Sequence, residues 1–436
     1  VVLRWNAVAL QAVAEDHSGS FGAPEQPGPT RAARALAIVH AAIHDAVSAI
    51  DAGYEPYHSR VHAPKSASLE AAVARAAHDA LAALYPAQAE AFAVALAADL
   101  AGVPDRLERR AGERVGRLAA RQLLHARRRD GSDDAPTWTV GDRPGDHRED
   151  PLHPGQGFLD PAWGSVTPFV LPRGDFLRPP PPPRLRGPAY AEAFDEVKQL
   201  GGDGLVTPTD RSAEQTEIGL FWAYDGTRGL GPPPRLYNQI ARVIAEQMGN
   251  DVVENARLLA LVNLAIADAG IACWEAKYVY DFWRPVLGIR EADPGTGPSG
   301  LGDKNPLATG DPGWTPLGAP ASNQSGTDFT PPFPAYPSGH ATFGAALFRI
   351  LERFYGTDEI AFTFVSDELD GATTDWAGNL RALSPRSFST LSDAKAENAD
   401  SRIYLGIHWR FDASEGIALG DAIADYVFEH ALRPRR

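Results

Sequence analysis

Residues 251–285 read DVVENARLLALVNLAIADAGIACWEAKYVYDFWRP. Apolar side chains dominate from Leu258 to Cys273, interrupted by Asn263 and Asp268. A run of this length is too long for a strand and predicts one helix over about 251–284. Trp274, Lys277, Asp281 and Arg284 follow at spacings of three, four and three, near one helical face. Pro285 pushes Arg284 out of helical conformation, so the helix should stop there. Two cations from one helix end suit an anion. The same spacing also fits a solvated face with Asp281 paired to Lys277.

The same period recurs on both sides. Thr30 is placed to cap a helix carrying Leu36, Val39, Ile43, Val47 and Ile50. Further helices are expected over 68–86, 88–102 and 106–129, the last basic on its outer face. Residues 131–188, rich in Pro, Gly and Asp and including Pro179–Pro183, favour an extended connection. Helices resume over 188–201, 210–225, 233–249, 338–355, 387–406 and 413–432, with another Pro/Gly-rich stretch at 291–337. The fold class is therefore mainly α: two four-helix-bundle units with long Pro/Gly-rich loops. The organisation expected is a single domain over 1–436, with a helical half (1–130), a connection (131–187) and a catalytic half (188–436).

Composition narrows the function. Hydrophobic residues at 44% and charged residues at 22% are ordinary for a globular chain of 436 residues. A formal net charge of −15 argues against nucleic-acid or anionic-membrane partners. No charge-free apolar run reaches eighteen residues, so no transmembrane segment is expected. Cys273 is the one cysteine, which excludes an internal disulfide and reads as a core residue. The chain begins Val1-Val2-Leu3-Arg4, as after trimming, and a secreted or extracytoplasmic location is the expectation.

Two further segments carry chemistry. Phe333 to His340, FPAYPSGH, precedes an apolar helix. Ser338 is a natural cap, Gly339 allows close backbone approach, and the first helical N–H groups form an oxyanion site. His340 in that first turn is placed for proton transfer, although an ordinary capped helix would look the same. Ser401-Arg402 is followed by His408 and Asp412. At i,i+4, Asp412 could orient the His408 imidazole. Arg402 and His408 lie six apart, about 240° around a helix, so they share a site only if Gly406 breaks it. Together the segments supply cations, imidazoles, a hydroxyl and N–H donors. That set suits a tetrahedral oxyanion such as vanadate or phosphate, and not Mg²⁺ or Ca²⁺. His40 and His44, four apart on one helix, read as packing residues.

The order Lys-x6-Arg-Pro, Pro-Ser-Gly-His, Ser-Arg-x5-His-x3-Asp resembles the vanadium haloperoxidase and type 2 phosphatidic acid phosphatase superfamily. The stretches FWAYDG, PPRLYNQI, DFWRPVLGIR, PPFPAYPSGHATFG, RIYLGIHWRFDA and ARALAIVHAAIHDA are similar to fungal vanadium-dependent chloroperoxidases. This likeness covers most of the chain, which is shorter than the fungal enzymes and lacks some of their loops. It implies vanadate as cofactor, without heme or flavin, and hydrogen peroxide, halide and small organic molecules as partners. By the same resemblance, His408 would bind vanadium. Lys277, Arg284 and Arg402 would neutralise the vanadate oxygens, with Ser338 and the Gly339 N–H hydrogen-bonding them. His340 would be the acid–base, and Lys277 would also polarise peroxide. Asp225 would pair with Arg402. Phe333 and Trp274 match the apolar positions of chloroperoxidases, where bromoperoxidases are more polar, so chloride as well as bromide oxidation is implied. An acid phosphatase with His408 as nucleophile is the alternative on the same residues. A non-enzymatic helical interaction protein is a more distant one.

Overall fold

Helix α9 (Val252–Tyr280) begins at a capping box. The Asp251 carboxylate accepts from the Glu254 N–H at 2.8 Å, and the Glu254 carboxylate accepts from the Asp251 N–H at 2.9 Å. The helix is apolar on every face, so it can only be a central helix. It is buried from Asn255 to Trp274. The computed structural model describes residues 1–435.

Around α9 lie α1 (Val2–Asp16), α2 (Gly28–Ile50), α3 (Leu69–Leu84), α4 (Ala89–Ala101), α5 (Arg106–Ala126), α6 (Pro188–Leu200), α7 (Ala213–Phe221) and α8 (Pro233–Met248). They are followed by α10 (Pro285–Arg290), α11 (Gly339–Tyr355), α12 (Leu391–Tyr404) and α13 (Arg410–His430). The chain is mainly α and built of helical bundles. Helices α2, α3 and α5 pack on one another, with α2 against α9. Helices α11, α12 and α13 pack together, with α11 and α13 on the other side of α9. One apolar cluster extends from Val2 to Leu432 through both groups. By length and composition α2 and α9 could cross a membrane, but both are mostly or wholly buried inside the fold.

Several boundaries differ from the sequence expectation, each for a local reason. Thr30 lies inside α2, whose first turn starts at Gly28 behind Pro27; its hydroxyl donates instead to Asp160. Helix α9 ends at Tyr280, because Asp281 turns left-handed at φ 49°. The expected helix 210–225 shrinks to α7, freeing Asp225. The start of the expected 387–406 helix is taken by a strand, β2 (Arg386–Phe388). It pairs antiparallel with β1 (Phe362–Phe364), so that Phe362 faces Phe388. This small hairpin buries Phe362, Phe364 and Phe388 in the main core.

Candidate active site

Four chain segments converge. After Tyr280 the chain leaves α9, and Arg284 sits extended (φ −79°, ψ 158°) as the residue before α10, as Pro285 requires. Arg284 thus comes from the turn beyond the helix and not from the face that holds Lys277. Both side chains are fully buried. Arg284 donates through Nε to Phe333 O at 2.8 Å. Its Nη1 donates to Ile407 O at 2.8 Å and to His408 Nε2 at 2.9 Å. Lys277 donates to the carbonyls of Pro334, Ala335 and Pro337 at 2.8, 3.0 and 2.5 Å. It does not pair with Asp281. Burial lowers the Lys277 ammonium to about 7 and the Arg284 guanidinium to about 9.

Lys277 therefore clamps the loop that leads into α11. Ser338 caps that helix, its Oγ accepting from the Ala341 N–H at 3.4 Å, while its own N–H donates to Asp412 O at 2.9 Å. A Cβ added at Gly339 would touch the Trp274 ring at 3.4 Å, so only glycine leaves the helix start open on that side. His340 donates from Nε2 to Ala223 O at 2.6 Å. A carbonyl only accepts, so Nε2 carries the proton and the Nδ1 lone pair is the atom left for proton exchange. Burial, followed by the Arg402 charge, holds His340 well below the usual histidine range, hence neutral.

The third segment solves the spacing problem. Helix α12 stops at Tyr404 and Gly406 turns left-handed at φ 71°, where an added Cβ would lie 2.4 Å from Gly201 O. That break brings Arg402 and His408 to the same cavity. His408 precedes α13, and its Nδ1 lies 2.8 Å from the Asp412 carboxylate, which also accepts from the Trp409 N–H at 3.0 Å. Arg284 can only donate to His408 Nε2, so that nitrogen bears a lone pair and Nδ1 bears the proton. Asp412 is then the accepting carboxylate, although burial pushes it up to about 7. The fourth segment supplies Asp225, whose two oxygens accept from Arg402 Nη2 at 2.8 and 2.9 Å.

What these groups can hold follows from what is left unsatisfied. Arg284 Nη2, Arg402 Nε and Arg402 Nη1 are buried without a partner. Buried guanidinium donors without acceptors are costly. Lys277, Arg284 and Arg402 outnumber the Asp225 and Asp412 carboxylates by one positive charge. Among the described residues no group of three or more His, Cys, Asp or Glu is arranged to hold a metal cation. The residues fit a compact oxyanion. A cavity of about 350 Å³ leads to it, lined by Trp274, Phe333, Phe343 and Leu159 and closed by His340, Arg402 and His408. The Trp274 and Phe333 rings pack at 4.7 Å between centroids, and Lys277 Nζ lies 5.1 Å from the Phe333 centroid.

All eleven site residues expected from the sequence meet around this cavity or directly behind it. His147 was given no role by the sequence. It is buried beside Arg284 and Lys277, both its ring nitrogens unpartnered, and its backbone N–H donates to Asp281 O at 2.9 Å. The segment from His17 to Pro29 lines the cavity mouth and was also missed. Neither carries a spacing signal, since both arrive from loops. His40 and His44 are packing residues: His40 meets Asn6 at 3.0 Å and His44 meets Glu55 O and Ser48, each at 3.0 Å.

Residues 257–436 match the family model described as the VCPO second helical-bundle domain. The vanadium chloroperoxidase of Curvularia inaequalis is 35% identical over 497 positions, covering 95% of this chain and 79% of that protein. Two solved structures share the fold. A bacterial vanadium-dependent iodoperoxidase superposes with a TM-score of 0.79 at 21% identity, covering 100% of this chain and 98% of that one. A holo bacterial vanadium-dependent chloroperoxidase superposes with a TM-score of 0.71 at 18% identity, covering 94% of each chain.

Proposed function

The chain belongs to the vanadium haloperoxidase family, and from that premise we propose that it binds vanadate at the Arg284–Arg402–His408 cluster and oxidises halide with hydrogen peroxide, chloride as well as bromide, to hypohalous acid that halogenates organic molecules. The observation that carries the reading is the set of three orphaned guanidinium nitrogens buried beside a histidine Nε2 lone pair. When bound, vanadate supplies a Lewis-acid centre that activates peroxide toward halide.

The chain's own groups do the rest. Arg284 and Arg402 would hold the anion through charge-assisted bonds from their free N–H groups. Ser338 Oγ and the Gly339 N–H add donors at the start of α11. His408 Nε2 would offer its lone pair as the ligand atom once Arg284 Nη1, which donates to it at 2.9 Å, turns to the anion, and Asp412 fixes the tautomer that places the lone pair on that nitrogen. Lys277 contributes charge at short range while its protons hold the 334–337 carbonyls. Direct contact with the anion or with peroxide requires it to exchange one of those bonds. His340 takes a proton from peroxide at Nδ1, which is unprotonated at neutral pH. Asp225 aligns the Arg402 guanidinium. Trp274 and Phe333 keep the cavity apolar, so a small, strongly hydrated halide loses water there, and this supports chloride oxidation.

The test is a halide-oxidation assay with and without orthovanadate. Vanadate-dependent chlorination of monochlorodimedone at acid pH is the expected result. Bromination without chlorination would overturn the chloride assignment alone. Vanadate acting as an inhibitor of phosphate-ester hydrolysis, with no halide oxidation, would replace the whole reading by the phosphatase.

A further inference from the structure

Helix α5 carries Arg106, Arg110, Arg114, Arg117 and Arg121. At 100° per residue these five fall within an arc of about 80° and run about 22 Å along the helix axis. All five side chains are exposed. Among the described residues none has a carboxylate within the 4.0 Å of a salt bridge, while most other arginines of the chain are paired. Glu108 and Glu113 lie on the same helix, yet neither closes an ion pair with the stripe. In a chain of net charge −15 this concentration of unneutralised positive charge repels itself.

The stripe is also rigidly mounted. The opposite face buries Gly112, Val115, Gly116, Ala119, Ala120 and Leu123. A Cβ added at Gly112 would lie 2.4 Å from Ser68 O, and one at Gly116 would lie 2.2 Å from Ala72 O, so α5 and α3 are in backbone contact. The fixed backbone sets the spacing at which the five arginines are presented, so binding need not order the helix that carries them.

We propose that the outer face of α5 is a docking surface for a linear anionic polysaccharide. The ligand chemistry follows from the charge pattern. Successive arginines stand about 4.5–6 Å apart along the axis, and guanidinium groups take sulfate or carboxylate oxygens through paired N–H bonds. The arc holds no aromatic side chain for stacking nucleic-acid bases. Only Leu107 flanks it as an exposed large apolar residue, too little for a helix inserting in a bilayer. The surface is built from α5 alone and is independent of the halide chemistry.

The test is equilibrium binding of a heparin oligosaccharide to the full chain by isothermal titration calorimetry across a salt series. The triple variant Arg110→Gln, Arg117→Gln, Arg121→Gln should bind at least about tenfold more weakly, with a shallower dependence on salt. Glutamine keeps helix propensity, so the far-UV circular dichroism should not change. A control changing Arg143, Arg184 and Arg186 to Gln, exposed residues of the segment before α6, lowers the charge equally away from α5 and should bind as the parent does. Equal loss in both triple variants would overturn the proposal, as would no binding by the parent. Tighter binding of the parent to duplex DNA or to phosphatidylserine vesicles would assign the surface to those partners, and oligomerisation abolished by the α5 variant would assign it to a second copy.

Discussion

Replacing Asp225 by Asn separates what holds the site together from what the site is for. Asp225 and Arg402 are both buried, and Asp225 accepts twice from Arg402 Nη2. The amide is nearly isosteric, so the change removes a charge and little else. It leaves Arg402 with an uncompensated buried charge, which typically costs about 3–5 kcal/mol. Unfolding entropy of about 2.1 cal/mol/K per residue over 436 residues gives about 0.9 kcal/mol/K. The anion-free protein should therefore melt about 3–5 °C lower than the parent. The anion responds in the opposite direction. Asp225 holds Arg402 Nη2 while Nε and Nη1 are free for the anion, and two unit charges at roughly 7 Å in an effective dielectric of about 20 repel by about 2 kcal/mol, the order of the repulsion removed. Saturating vanadate should thus raise the melting temperature of the variant by about 2 °C more than that of the parent. Differential scanning calorimetry with and without vanadate reads both effects. Glu55→Gln is the control: its pair with Arg433 is exposed, so it should change neither value measurably. An unchanged Tm for the anion-free variant, or a smaller vanadate shift than in the parent, would refute the electrostatic reasoning.

His340→Ala should keep vanadate affinity within about threefold and lose at least about a hundredfold in halide oxidation, since it removes a proton acceptor and not a ligand; steady-state kinetics beside equilibrium dialysis checks it. His408→Ala should instead lose tight vanadate binding, measured by the same dialysis. Sulfate, whose charge is constant above pH 5, should bind more weakly as pH rises. Lys277 is lowered to about 7 from 10.5, chiefly by burial. Between those values the unfolded chain holds a proton that the folded chain has released, so anion-free stability rises with pH. Sulfate favours the charged ammonium, so just above pH 7 its affinity should fall by up to about tenfold more per pH unit in the parent than in Lys277→Met, a difference calorimetry would read, while Arg284, lowered to about 9, adds the same slope to both proteins at higher pH. Gly406→Ala should destabilise by at least about 1–2 kcal/mol from backbone conformation alone, with further loss from the contact with Gly201 O, and should weaken vanadate binding because it moves Arg402 relative to His408.

The behaviour of Gly406 also explains which parts of this site are legible in a sequence. Periodicity locates α9, α11 and α12 because burial on a helix repeats every three or four residues. It also puts Lys277, His340 and Arg402 on them. Periodicity says nothing once the chain leaves a helix. By spacing alone Arg284 extends the face of Lys277, yet Asp281 turns left-handed and Pro285 forbids helix, so the guanidinium arrives from a turn. Arg402 and His408 look incompatible at 240° until a residue without a Cβ reverses the chain between them. In both cases the break was readable, as a proline and a glycine, but the direction taken after it was not, because it is set by distant contacts such as Gly201 O against Gly406. His147 shows the limit. Its place beside Arg284 depends on the backbone bond from its N–H to Asp281 O, a contact between residues 134 positions apart with no shared period. The functional groups on helices were therefore readable one segment at a time. Their convergence had no such signal: three buried basic groups, Lys277, Arg284 and Arg402, gather around two carboxylates, and an oxyanion is the partner that would balance the remaining charge.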